Sequence, residues 1–209
     1  MNSRSGNFWK YSNSYFYPLD HYYSTLEDKY SDPHFFSNLI QKHDFKVYNT
    51  PVELSFKSRL PFGSGLKSIV DELGKPQIIY EKEDIPGYLI LLYRTFIAGE
   101  KAKIELHFYN EKLCIYSYIF SYLSQLRKSE LLEILSLKYL DDRTLDISSF
   151  KVNDRHKNIL LVEDSVDLAI WYFSGDTQFS KLIKTFQDNF EKEKRSQIKR
   201  KKQEFFRLL

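Results

Sequence analysis

The chain has 209 residues, of which 42% are hydrophobic and 17% aromatic, and its formal net charge at pH 7 is +3. These values exclude global disorder, because the apolar residues suffice for a core, and the length fits one or two domains. The single cysteine, Cys114, excludes an intramolecular disulfide and with it a disulfide-scaffolded secreted domain.

Residues 1–43 are predicted to form an aromatic-rich arm without regular structure, because no helical or strand period holds for long. Its rings either fill gaps on the main domain or form a recognition surface, since Tyr and Trp are enriched at protein interfaces. Few basic residues accompany them, which disfavours single-stranded nucleic acid as a partner. The predicted partner-binding residues are Trp9, Tyr15, Tyr17, Tyr22 and Tyr23.

Residues 44–122 are predicted to form a first repeat that consists of a helix and a meander. The helix is indicated by an apolar stripe at i, i+3, i+4 and i+7, whose members are Leu66, Ile69, Val70 and Leu73. Ser64 is expected to cap its N-terminus, and Gly74 and Pro76 are expected to end it.

Three strand-like runs follow the helix, and short turn signals separate them. The first, 88–93, is almost wholly apolar, which is typical of a strand covered on both faces. The second, 103–109, alternates apolar and polar residues, which predicts a half-buried strand with His107 on its exposed face. The third, 113–120, is expected to bury Cys114. Because the connections are short, we expect antiparallel neighbours and therefore a meander.

This segment resembles the small outer-membrane-assembly lipoprotein family (BamE/SmpA) and the similarly built beta-lactamase-inhibitor protein repeats. The matching positions are 66–76, which end in Leu-Gly-Lys-Pro, then Tyr93 and the turn at 109–113. The chain departs from these families because it has neither a lipobox nor a pair of cysteines. The resemblance therefore implies a helix-plus-meander fold and, at most, a protein-binding role.

Residues 123–176 are predicted to form a second helix-plus-sheet repeat. A helix is expected over roughly 123–140, with one face marked by Leu131, Ile134, Leu135 and Tyr139. Strand-like segments follow around 147–152, 158–163 and 166–174. The last is apolar on both faces, with Val166 on the same face as Leu168, and is expected to be central in its sheet.

Residues 177–209 are predicted to form a helix that is amphipathic at first and basic later. Its docking stripe comprises Phe179, Leu182, Ile183, Phe186 and Phe190. Residues 191–209 contain eight Lys or Arg and three Glu, a charge of +5, which leaves −2 for the other 190 residues. The predicted anion-contacting residues are Lys199, Arg200, Lys201 and Lys202, although a solvated helix end would show the same charges.

No catalytic, metal or cofactor motif stands out. The five histidines lack the spacing of a metal site. The element at 63–65 lacks the residues of a phosphate-binding or dinucleotide-binding loop. We therefore predict no cofactor, no metal and no identifiable catalytic residue, although acidic residues that converge only in the fold leave acid–base chemistry open.

The sequence thus predicts an α+β fold in which antiparallel meander sheets pack with helices and which ends in a long helix. The arrangement as two helix-plus-sheet repeats is a hypothesis about topology. We expect a non-enzymatic protein-binding or adaptor protein. The alternatives are an enzyme with a cleft between the repeats and attachment to an anion or a membrane surface through the basic helix.

The N-terminus lacks the pattern of a signal peptide, and no run approaches the about 20 apolar residues of a membrane span, so a cytoplasmic location is expected. The oligomeric state stays open.

Overall fold

A computed structural model describes residues 19–41, 45–57 and 60–208 of the chain. The helices in these ranges are α1 (Leu19–Lys29), α2 (Phe35–Ile40), α3 (Leu66–Leu73), α4 (Gln125–Leu140) and α5 (Thr177–Leu208). The strands are β1 (Lys46–Asn49), β2 (Ile78–Glu81), β3 (Tyr88–Ile97), β4 (Glu100–Tyr109), β5 (Lys112–Phe120), β6 (Phe150–Asn153), β7 (Ile159–Asp164) and β8 (Leu168–Phe173). The helix α3 ends at Leu73 as predicted.

All eight strands belong to one sheet, in the order β1-β6-β7-β8-β5-β4-β3-β2. Neighbouring strands are antiparallel except β1 and β6, which are parallel. The predicted α+β class, the meander of β3, β4 and β5, the central position of the last strand and the long C-terminal helix are confirmed. The meander turns at Ala98-Gly99 and Asn110-Glu111, where all four residues have positive φ, as tight two-residue hairpins require.

Each half of the sheet is preceded in the chain by a helix of its own. Helix α3 precedes β2 to β5, helix α4 precedes β6 to β8, and the halves meet where β5 pairs with β8. Strand β1 pairs across this division, because it precedes α3 in the chain but lies beside β6. The division into repeats at 44–122 and 123–176 stays a prediction.

Helices cover both faces of the sheet. Face A lies under α3 and α4 and contains Ile69 and Tyr139, together with the stacked rings of Tyr116 and Tyr172, whose centroids are 4.3 Å apart. Face B lies under α1, α2 and α5 and contains a second buried cluster around Trp171. Because both faces are covered, apolar side chains point in both directions along the central strands.

The prediction of an irregular N-terminal arm is wrong from Leu19 onward, because this part of the chain forms α1 and α2. Leu26 and Tyr30, one helical turn apart, are buried against face B, and Phe36 and Leu39 of α2 join them. Tertiary burial therefore stabilises two short helices whose sequence shows little helical period. The short strands β1 and β2 were not predicted either.

Three smaller predictions are also wrong. Gly65, not Ser64, is the N-cap of α3, and the amide of Leu66 donates to the carbonyl of Glu111 in the adjacent hairpin. Ile134 lies on the outer side of α4 and is exposed, because the sheet contacts the opposite side of the helix. The segment at 147–149 is a 3-10 turn and not a strand.

Helix α5 has a docked half and a projecting half. Phe179, Leu182 and Phe186 are buried on face B, and Tyr109 and Thr185 are joined through their hydroxyls at 3.2 Å. Phe190, predicted to dock, is 37% exposed and marks the end of the docked half. We call residues 191–208 the tail helix, in which 191–207 are exposed. At 1.5 Å per residue the tail helix is about 27 Å long.

Replacement of Gly175 by Ser tests how closely the turn at 154–158 packs on the chain that enters α5. A Cβ atom at Gly175 would lie 2.4 Å from the carbonyl oxygen of His156 and 2.5 Å from the carbonyl carbon of Lys157. Because backbone atoms cannot move aside as a flexible side chain can, we expect Gly175→Ser to lower the free energy of unfolding by roughly 2–4 kcal/mol. Chemical denaturation measures this loss.

The matched control is Gly65→Ser, because a Cβ atom there would meet nothing within 4 Å. Serine is also a favourable N-cap, so this variant should be as stable as the wild type or slightly more stable. Equal losses in the two variants would show that the close approach at Gly175 is not the cause.

Candidate interaction surfaces

One end of the sheet has exposed apolar side chains at the ends of separate strands. Phe120 and Leu168 are the last paired residues of β5 and β8, and the Ser121 hydroxyl donates to the Asp167 carboxylate at 3.0 Å just beyond them. Tyr122 and Val166 come next along the two chain segments, so both lie beyond this end of the ladder. Phe96, near the end of β3, emerges at the same end of the sheet. We call these three residues the turn-end surface.

Ionic contacts hold this end in place. The Lys128 ammonium of α4 lies 2.7 Å from the Asp164 carboxylate and donates to the Ser165 carbonyl at 2.7 Å, which fixes the β7–β8 turn to the helix. Arg127 likewise reaches Glu100 at the start of β4, at 2.9 Å. Two turns and the first turn of α4 therefore form one rigid support.

The turn-end side chains point into solvent although their backbone is well supported. Tyr122 is 96% exposed and Val166 90% exposed. Tyr122 also has φ +64°, a left-handed conformation that costs a bulky residue free energy. Val166 was predicted to face the sheet interior beside Leu168, and this prediction is wrong because Val166 lies in the turn before β8.

A pocket of about 360 Å³ lies at the start of α5 and is lined by residues from both predicted repeats, namely Glu53, Leu54, Pro61, Phe62, His156, Asn158, Ser174, Gly175 and Asp176. It is the place where a cleft enzyme would assemble its groups. Its polar wall is built on Asp154, whose carboxylate accepts from the amides of Leu54, His156 and Asn158 at 2.8–2.9 Å.

The ionisable groups that line this pocket have structural partners. The Asp176 carboxylate caps α5 by accepting from the amides of Gln178 and Phe179. Arg155 donates to a ring nitrogen of His156 at 3.0 Å and lies 3.6 Å from Glu53. Because a carboxylate already occupies the amides at the start of α5, the pocket is poorly suited to an anion.

A buried polar cluster lies on face B, where the sequence predicted an exposed strand face. Glu105 and His107 are 3% and 0% exposed, so the prediction that His107 faces solvent is wrong. The Glu105 carboxylate accepts from Lys29, at 2.7 Å, and from the hydroxyl of Tyr30. His107 is hydrogen-bonded to the hydroxyl of Tyr88 at 2.7 Å. Helix α1 supplies the partners that make burial of this strand face possible.

The protonation states of this cluster follow from its burial. Burial lowers the pKa of His107 to about 3 and leaves the ring neutral at physiological pH. Burial alone would raise the pKa of Glu105, but the Lys29 ammonium and the hydrogen bond from Tyr30 outweigh it and hold that pKa below its ordinary value. The cluster therefore contains one ion pair between Glu105 and Lys29.

The residues predicted to bind a partner are only partly described. Trp9, Tyr15 and Tyr17 lie outside the described residues. Tyr22 and Tyr23 lie in α1, and the Tyr23 ring is close to Tyr80 on β2, with 6.5 Å between their centroids. Tyr23 therefore lies at the edge of face B that β2 forms.

The residues predicted to contact anions are all exposed on the tail helix. As consecutive residues they point in four directions, about 100° apart, and do not form one patch. Lys199 and Lys202 share a face with Lys192 and Arg195, at the spacing i, i+3, i+7 and i+10. The structure therefore groups two of the four predicted residues with two others.

Comparison of the chain with protein-family models, curated proteins and solved structures found no match. The resemblance of residues 62–120 to the BamE/SmpA and beta-lactamase-inhibitor protein folds stays a prediction. Among the described residues, none of the helices is long and apolar enough to cross a membrane.

The depressed pKa of His107 predicts loss of stability in acid. The unfolded chain binds a proton on this ring below about pH 6.5, whereas the folded protein does so only near pH 3. The stabilisation is therefore complete above pH 6.5 and is lost as the pH falls towards 3, by up to about 5 kcal/mol. Unfolding free energies measured between pH 7 and 3.5 would show this decline.

His107→Gln is the informative variant, because its amide can still hydrogen-bond to Tyr88 but does not titrate. It should lower stability at pH 7 and flatten the decline between pH 6.5 and 3.5. Glu105 titrates in both proteins, so the difference between the two curves isolates His107. Parallel curves would contradict a neutral buried His107.

Proposed function

We propose that this protein is a non-enzymatic protein-binding module whose turn-end surface contacts the partner. The observation that carries the proposal is Tyr122, an almost fully exposed ring on a backbone held in an unfavourable conformation. Strain of this kind persists where the surrounding structure enforces it, and it concentrates at functional positions. A rigid, exposed Tyr at the same end of the sheet as an exposed Val and Phe has the chemistry of a binding hot spot.

The surroundings of these residues indicate what kind of partner surface they fit. The charged side chains that support the turn end are paired with one another, Lys128 with Asp164 and Arg127 with Glu100. Such pairs leave little net field to recognise a charged partner. We therefore expect an apolar depression on the partner that receives the Tyr122 ring, and an affinity that depends weakly on salt.

A photo-crosslinking amino acid in place of Tyr122 tests the proposal in cells of the native host. It should yield a discrete adduct whose partner mass spectrometry identifies, whereas the same amino acid at Val47, exposed on the edge strand β1, should not. With that partner purified, Val166→Ser should weaken binding at least tenfold and Val47→Ser should leave it unchanged. Equal affinities for the two serine variants would refute the turn-end surface as the contact.

Tyr122→Asn separates binding from stability. Asn tolerates the left-handed region better than Tyr, so we expect the free energy of unfolding to rise by up to about 1 kcal/mol while partner binding is lost. Thermal denaturation measures the first effect and calorimetry the second. A less stable variant would mean that the Tyr122 ring contributes packing to the fold and is not held out for a partner.

Attachment to an anionic surface through the tail helix is a second candidate function. The stripe of Lys192, Arg195, Lys199 and Lys202 lies along one side of an exposed helix, which suits contact with phosphate groups. Co-sedimentation with vesicles containing phosphatidylserine should be salt-sensitive and should be reduced more by K199E/K202E than by R200E/K201E. These variants change charge equally, so equal reductions would mean that the stripe has no role of its own.

A further inference from the structure

The pocket at the start of α5 combines apolar and acidic side chains. Leu54, Pro61 and Phe62 contribute apolar surface to its lining, and Glu53 and Asp176 contribute carboxylates. Its volume of about 360 Å³ lies within the range of about 300–1,000 Å³ that small-molecule sites occupy. The pocket therefore has room for a small organic molecule with one apolar part and one polar part.

The two carboxylates of this lining have oxygen atoms available for a further donor. The amides of Gln178 and Phe179 both donate to Oδ1 of Asp176, so the cap of α5 does not use Oδ2. The Arg155 guanidinium lies 3.6 Å from the Glu53 carboxylate, and these side chains are 72% and 48% exposed. An ion pair that is this long and this exposed is weak, so a bound cation can replace it.

A buried carboxylate adds negative charge behind the lining. Asp154 is 7% exposed, and its carboxylate accepts from the backbone amides of Leu54, His156 and Asn158 and from the side-chain amide of Asn158. These four donors are neutral, so none of them cancels the charge of Asp154. Because charges interact more strongly near the protein interior than in water, this carboxylate favours a cation in the adjoining pocket over an anion.

A buried hydroxyl without a partner lies close to the same lining. Tyr116 is 1% exposed, and its hydroxyl makes no hydrogen bond within the part of the chain that the structure describes. Its ring packs on that of Phe62, with 5.3 Å between the centroids. Burial raises the pKa of Tyr116, and the charge of Asp154 is near enough to contribute. An unpaired buried hydroxyl is costly, so a hydrogen-bond donor that reaches it from the pocket is stabilised.

We propose that this pocket binds a small organic ammonium ion, with its charged group near Glu53 and Asp176 and its apolar body against Phe62. An ammonium group has three donors and no acceptor, which suits a site whose available acceptors are carboxylate oxygens. Phe62 is aromatic, and an aromatic ring attracts a cation that lies over its face. An anion is unsuited, because Asp176 already occupies the amides at the start of α5.

The pocket is separate from the turn-end surface. Strand β8 runs from Leu168, beside the turn-end surface, to Phe173, which directly precedes the pocket residue Ser174. The two sites therefore lie at opposite ends of this strand. Val166→Ser should accordingly leave the affinity for the ammonium ion unchanged, so this proposal can fail or succeed independently of the proposed protein partner.

Calorimetric titration of the full-length protein with phenethylammonium tests the proposal, because this ion has an aromatic body and one ammonium group. Phenethyl alcohol has the same body with a neutral hydroxyl, and phenylpropionate carries a carboxylate. We expect phenethylammonium to bind about tenfold more tightly than the alcohol, and phenylpropionate not to bind. Absence of phenethylammonium binding, equal affinities for the ion and the alcohol, or binding of phenylpropionate would each overturn the proposal.

Conservative variants show whether the ion lies in this pocket. Asp176→Asn removes the charge but keeps the cap of α5, because Asn caps helices as well as Asp does. This variant and Glu53→Gln should each weaken binding about tenfold. Arg155→Gln should strengthen it, since Glu53 then loses its present partner.

The matched control is Glu72→Gln, which removes an exposed carboxylate on α3. It should leave the affinity unchanged, and thermal denaturation should show all the variants folded. Equal losses of affinity in Asp176→Asn and Glu72→Gln would show that the ion responds to the overall charge of the protein and not to the pocket. Weaker binding by Arg155→Gln would contradict the predicted contact with Glu53.

Discussion

The pairing of β5 with β8 is the constraint on which the rest of this structure depends. It joins strands that lie about fifty residues apart in the chain, from Ile115 opposite Phe173 to Phe120 opposite Leu168. On face A it stacks Tyr116 on Tyr172, and on face B it places Ser117 beside Trp171. A sheet of this width with two apolar faces cannot be covered by one helix, so helices from both ends of the chain must cover face B.

This requirement explains the polar side chains in the core. Glu105 and His107 lie beside the apolar residues Leu92 and Ile90 of β3, and α1 and α2 cover this part of face B. A buried carboxylate is costly unless it is paired and hydrogen-bonded. Lys29, the last residue of α1, and Tyr30, the next residue, supply these contacts, and Lys29 also lies over the Trp171 ring, 4.7 Å from its centroid. The polar cluster thus favours one position of α1 on the sheet, which apolar contacts alone define less sharply.

The parts of the fold that local signals encode could be predicted from the sequence. The apolar stripe from Leu66 to Leu73 and the glycine after it indicate α3, and the short polar turns indicate the meander. The alternation of apolar and polar residues along β4 indicates that the two faces of this strand differ. It does not indicate that another segment of the chain covers the polar face, so the prediction that His107 faces solvent was wrong. The candidate surface was harder to find, because Tyr122 belongs to no periodic pattern. Val166 offered a signal, since it is a single apolar residue within Asp164-Ser165-Val166-Asp167, a polar turn sequence.

Helix α5 contains neither glycine nor proline from Thr177 to Leu208, so it has no residue that would act as a hinge between its docked and projecting halves. The helix is therefore expected to move as one rigid body. A tilt of about 10° where Phe186 packs on face B would move the far tip by about 6 Å, given the 1.5 Å rise per residue. Force applied at Phe205 or Phe206 would in turn bear on the same side chains that enclose Glu105 and His107. One continuous helix therefore connects the exposed tail to the buried polar cluster.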